Sequence, residues 1–90
     1  MKPYLDEKLS EHCWIRTFDP TVSDNEEYVW HRDHNDREVE VLEGSDWKFQ
    51  FDNELPFVIN IGDKLTIPKM VYHRLIPGQT KLRIKINEEF

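Results

Sequence analysis

An all-β fold, closed as a small barrel or packed as a sandwich, is what this sequence predicts, on three observations. Apolar and polar residues alternate with a period of two: Val39 and Val41 against Glu38 and Glu40, Trp47, Phe49 and Phe51 against Lys48 and Gln50, and Leu82, Ile84 and Ile86 against Lys81, Arg83 and Lys85. Turn residues cut the chain at short, regular intervals, at Asp19-Pro20, Gly44-Ser45-Asp46, Asp52-Asn53, Gly62-Asp63 and Pro77-Gly78. No segment carries a sustained helical period.

The elements follow in order. Tyr4, Leu5 and Leu9 fit either a short helical turn or an edge segment lying over the body. Cys13 to Phe18 is a strand ended by Asp19-Pro20, and the polar stretch from Thr21 to Glu26 is a loop. Tyr28 to Asp33 is extended, and Arg37 to Glu43 is a strand after the His34-Asn35-Asp36 break. The strongest hairpin signal is the Gly44-Ser45-Asp46 turn between that strand and Trp47 to Phe51. Strands follow at Phe57 to Ile61, around Leu65 and Ile67, at Tyr72 to Ile76 and around Leu82 to Ile86. Each has one apolar face, and a facing sheet must cover it.

Ninety residues make one domain, with residues 1–12 as an N-terminal arm and 13–90 as the barrel. A core this small is expected to gain stability by dimerisation, so a homodimer is the expected assembly. The net charge of −6 and the lack of a basic stripe exclude nucleic acid as a partner. No apolar run is long enough to span a membrane, and the start of the chain has no apolar signal core. The lone Cys13 allows no internal disulfide. Together these point to a cytoplasmic protein with no membrane partner.

The stretch from Asn25 to Pro77 resembles the cupins, with two motifs at kept spacing. In the first, Asn25, His31, Asp33, Arg37 and Gly44 stand where the family has glycine, His-x-His, glutamate and glycine. In the second, Gly62, Pro68 and His73 match, while Met70 replaces an inner glycine and Pro77 an asparagine. The resemblance implies a double-stranded β-helix, the cupin jelly-roll barrel, with a ligand site at one open end. Asp33 keeps a metal-capable side chain, whereas Arg37 does not.

Strand parity gives the direction of these side chains. Arg37 shares the parity of Val39 and Val41 and points inward, and His31 shares a face with Asp33. With the topology the resemblance implies, His31, Asp33, Arg37 and His73 converge. Two readings stay open. In one, His31, Asp33 and His73 hold a divalent metal, such as iron(II), manganese or zinc, with open positions for a ligand, and Arg37 orients a small acidic molecule. In the other, Arg37 pairs with Asp33 and the pocket is a metal-free binding or assembly module with no cofactor. The order His-x-Asp and then a distant histidine also resembles oxygenases that use 2-oxoglutarate. Those need an inward basic residue near the last strand, and Lys81, Arg83 and Lys85 all read as outward. Whether any reaction occurs, the sequence leaves open.

Other residues read as structural. Trp47, Phe49 and Phe51 belong to the core, and Tyr72, opposite in parity to His73, to the core or a dimer contact. Cys13 is a buried, inert thiol, and His34 a solvated loop residue. Glu26, Glu27, Glu38, Glu40, Glu43, Glu88 and Glu89 are expected in solvent.

Overall fold

The structure is a computed structural model that describes residues 4–22 and 26–89. Asn25, the expected counterpart of the first motif glycine, lies outside the described residues. The strands are β1 (Tyr4–Ser10), β2 (Cys13–Phe18), β3 (Asp36–Glu43), β4 (Lys48–Phe51), β5 (Phe57–Val58), β6 (Lys64–Ile67), β7 (His73–Ile76) and β8 (Leu82–Glu89). A 3-10 turn, Glu26–Tyr28, precedes β3.

The strands form two antiparallel sheets, ordered β1-β2-β8-β3-β6 and β5-β4-β7. The inner faces carry the residues the alternation assigns to them: Val39, Val41, Trp47, Phe49, Ile67, Leu82, Ile84 and Ile86 are buried. Leu65 packs half-buried against this core. Phe18, Ile59 and Leu75 complete it. Lys81 and Glu38 are exposed, while Arg83, Lys85 and Glu40 lie half-buried along the outer face. Cys13 is buried.

The hairpin expected at Gly44-Ser45-Asp46 does not form. β3 pairs with β6 and β8, and β4 pairs with β5 and β7, so this turn carries the chain from one sheet to the other. Alternation assigns a face to each strand, and a sheet-to-sheet crossing satisfies it as well as a hairpin does. The turn docks instead on the loop after β7. Ser45 donates its backbone N–H to Thr80 Oγ1 at 3.0 Å, and the fully buried Trp47 donates Nε1–H to the Thr80 carbonyl at 2.6 Å. Gly78 makes this docking possible, because a Cβ there would sit 2.2 Å from the Ser45 carbonyl oxygen.

Of the two alternatives for residues 4–10, the edge segment is the one that forms, as an edge strand on β2. Two further expectations need adjustment. The strand expected over Phe57 to Ile61 shrinks to Phe57–Val58, after which only Ile59 turns inward. The extended segment expected over Tyr28 to Asp33 begins as the 3-10 turn and touches the small sheet at one point, an antiparallel bridge between His31 and His73.

Candidate functional site

That bridge sets the site. His31 donates its N–H to the His73 carbonyl at 3.1 Å, and His73 returns the bond to His31 at 2.9 Å. Directly paired residues on neighbouring strands send their side chains to the same face, and the two imidazole centroids lie 4.4 Å apart. Both rings are held in the same way. His31 Nδ1 sits 2.9 Å from the Val29 carbonyl, and His73 Nδ1 sits 2.8 Å from the Val71 carbonyl. A carbonyl only accepts, so each Nδ1 carries the proton and each Nε2 faces the site. Phe49 stacks on the His73 ring from the core side, 5.4 Å between centroids.

Asp33 completes the group. Its Oδ2 lies 3.2 Å from His73 Nε2 and its Oδ1 3.4 Å from Arg37 Nη1. One ligand atom from each of His31, Asp33 and His73 lies within 4.8 Å of the other two. Asp33 is placed by its backbone, whose carbonyl accepts the Met70 N–H at 2.7 Å. His31 Nε2 and Asp33 Oδ2 are sealed from solvent, and each meets a charged neighbour, Glu27 at 2.5 Å and His73 at 3.2 Å.

Arg37 faces the same recess, as parity requires, and is weakly held. Its Nη1 is 3.4 Å from Asp33 and its Nε 3.6 Å from Glu88, both beyond hydrogen-bond length. Glu88, expected in solvent, is thereby half-buried, with Asn35 also donating to it at 3.1 Å.

A second inward arginine, Arg16, escaped the sequence reading. It shares the parity of Phe18 on β2, which was the available signal, and sits opposite Ile84 of β8. It grips Asp6 through two bonds of 2.8 and 3.0 Å and Glu27 through one of 2.9 Å. Glu27, expected in solvent, is likewise turned inward, its side chain 14% exposed and its Oε2 2.5 Å from His31 Nε2. Eleven positions separate Arg16 from Glu27, so no local pattern announces the pair. Tyr72 is exposed, with Arg32 over its ring, so of the two places expected for it the core is excluded. His34 is exposed as expected.

The charges act on one another. Burial alone would lower the His31 pKa, but contact with Glu27, aided by the Val29 carbonyl and Asp33, raises it. Burial would raise the carboxyls of Asp33 and Glu27. His73 and Arg37 hold Asp33 below the usual range, and His31 and Arg16 do the same for Glu27. Tyr4, Arg16, Glu27, His31, Arg32, Asp33 and Arg37 line a polar recess of about 240 Å³ at this end of the barrel.

The backbone resembles known structures. A cupin-2 domain protein from Shewanella frigidimarina superposes with a TM-score of 0.66 at 21% identity, over 92% of this chain and 76% of that one. A cupin domain from Bordetella pertussis Tohama I gives 0.62 at 16% identity, over 100% of this chain and 98% of that one. The fold is that of the cupins. The backbone is also similar to FeII HppE, at a TM-score of 0.66 and 10% identity, over 86% of this chain and 41% of that one. No model of a known family matches the sequence, and no curated protein is similar to it in sequence. Within the cupin barrel, Met70 adopts φ 65° at the place of the motif's inner glycine, so the left-handed backbone is kept although the residue is not. No helix among the described residues is long and apolar enough to cross a membrane.

Proposed function

We propose that this cupin binds a divalent metal through Nε2 of His31, an Asp33 oxygen and Nε2 of His73, and a small acidic molecule beside it through Arg37. The observation that carries the reading is the state of the two histidines: both Nδ1 atoms are tied to backbone carbonyls, which leaves both Nε2 atoms turned to carboxylates, His73 to Asp33 and His31 to Glu27, in a group with Asp33. Metal-ligating histidines are oriented by such bonds. His31 Nε2 and Asp33 Oδ2 are buried, and an entering ion would take over their contacts with Glu27 and His73. Two imidazoles and one carboxylate suit iron(II), and they also accept manganese or zinc. When bound, the metal supplies Lewis acidity toward an oxygen of the acidic ligand.

The residues of the chain supply the rest. Arg16 is saturated by Asp6 and Glu27, whereas Arg37 makes only long ion pairs and keeps donors for a carboxylate in the recess. Phe49 and the apolar interior close the floor beneath His73. A second reading has its own observation, the Asp33–Arg37 contact at 3.4 Å, which favours a metal-free plug. Metal analysis of freshly purified protein, followed by calorimetric titration of iron(II), manganese(II) and zinc into metal-stripped protein, separates the two. Binding that disappears in Asp33→Ala supports the metal reading, and indifference to all three ions leaves the plug.

A further inference from the structure

We propose that Glu27 supplies a fourth, carboxylate ligand to the same metal, reaching it from the 3-10 turn ahead of the first histidine. The proposal rests on the metal reading above and adds to it a ligand from an unexpected place in the chain. Arg37 stands where the motif would put a carboxylate, and a guanidinium has no lone pair to offer. Glu27 offers a carboxylate from the 3-10 turn instead. Its Oε2 meets His31 at Nε2, the ring atom that the Nδ1 bond to Val29 leaves available.

Glu27 lies outside the group formed by His31, Asp33 and His73, so its carboxylate would have to swing toward the ion as it leaves His31. Ligand atoms each about 2.1 Å from one ion stand roughly 3 to 3.4 Å apart. Oε2 now lies 2.5 Å from His31 Nε2, so an entering ion would ease the two apart by less than about 1 Å. The other oxygen, Oε1, is anchored by Arg16 Nη1 at 2.9 Å, and Arg16 is itself fixed by Asp6. A ligating carboxylate is commonly held by such an outer donor. The anchor also explains why this glutamate is buried at all, since a carboxylate withdrawn from water needs a charged partner.

Charge balance points the same way. Two neutral imidazoles and Asp33 alone would leave a divalent ion with one uncompensated positive charge, in a recess that also holds Arg16 and Arg37. Adding Glu27 neutralises it. Asp6 and Glu88 then face the two arginines.

Zinc, which is stable in air, is the probe. In titrations of the full chain, zinc should bind the wild type, bind Asp33→Ala not at all, and bind Glu27→Gln about 100-fold more weakly, at or beyond the loss expected from an outer-sphere partner. Glu27→Asp, which keeps the charge on a shorter stem, should fall between. A crystal structure of the zinc-loaded wild type should place a Glu27 oxygen about 2.0–2.2 Å from the ion. If Glu27→Gln binds as tightly as the wild type while Asp33→Ala does not bind, or if the crystal shows Glu27 still on His31 and Arg16 with only three protein ligands, Glu27 is no ligand and the three-residue site stands. If the wild type ignores zinc, iron(II) and manganese(II) alike, both proposals fall. Should Glu27→Gln lose its fold by circular dichroism, the wild-type crystal structure decides.

Discussion

Asp33 and Arg37 lie four positions apart and meet at 3.4 Å, yet the contact uses only one carboxylate oxygen. The other turns away, to within 3.2 Å of His73. Asp33 is therefore shared between a cation that is part of the protein and one histidine of the candidate metal site.

The division makes Arg37 a lever on metal affinity. Arg37→Glu removes a positive charge and adds a negative one beside the ion position, and should tighten binding of a divalent cation by at least tenfold. Arg37→Ala should leave metal binding in place and weaken binding of small carboxylates. Isothermal titration with metal, and then with a dicarboxylate into the metal-loaded protein, reads both. Loss of metal from Arg37→Ala would show that the arginine supports the site rather than the ligand.

Stability of the metal-free protein should fall toward both ends of the pH scale. The folded carboxyls of Asp33 and Glu27 are held below their ordinary range, so their contribution is present above about pH 4 and is lost as pH falls through the lowered values. His31 is raised, so its contribution is full below about pH 6.5 and is lost as pH rises through the folded value. Thermal unfolding from pH 3 to 9 should trace this dome, and His31→Gln should flatten the alkaline side. An alkaline side unchanged in His31→Gln would remove His31 as its source.

Met70 holds a left-handed backbone at φ 65° with its side chain 42% exposed, so it pays conformational strain for little burial. Met70→Gly should relieve it and raise stability by up to about 1 kcal/mol, after allowing for the greater entropy of glycine in the unfolded chain. The Met70 N–H to Asp33 carbonyl bond at 2.7 Å survives the change, so metal affinity should hold. Gly78→Ala is the opposite case. Its Cβ meets backbone at 2.2 Å, and a loss of about 2 kcal/mol or more is expected from forcing the two loops apart. Chemical denaturation of both variants checks the signs.

Assembly is testable on β1. Its outer edge is unpaired among the described residues, and Leu5 and Leu9 are 74% and 53% exposed on it. A two-fold dimer using this segment should dissociate in a Leu5→Glu, Leu9→Glu double variant, as read by sedimentation velocity. A monomeric wild type at micromolar concentration would sink the dimer.

Much of the site was legible before the structure. His31, Asp33, Arg37 and His73 do converge, because parity fixed their direction and the cupin motifs supplied the topology. Glu27 was not legible. A glutamate in a polar loop looks like any solvated acid until the arginine that draws it inward is known, and Arg16 lies on a different strand. Arg16 itself was readable from its parity with Phe18, but a charged residue on an apolar face makes sense only once its partners are seen.

The faces of β3, β4 and β8 follow from the sequence alone, because side-chain direction in a strand repeats every two residues wherever the strand is placed. Tertiary structure alone decided that β3 lies between β6 and β8 rather than beside β4, that Asp6, Arg16 and Glu27 join into one chain of charge reaching His31, and that Met70 is held left-handed under Asp33. Each of these depends on which distant segment closes against which. A periodic pattern cannot carry that choice, since burying the same apolar face satisfies it in more than one pairing.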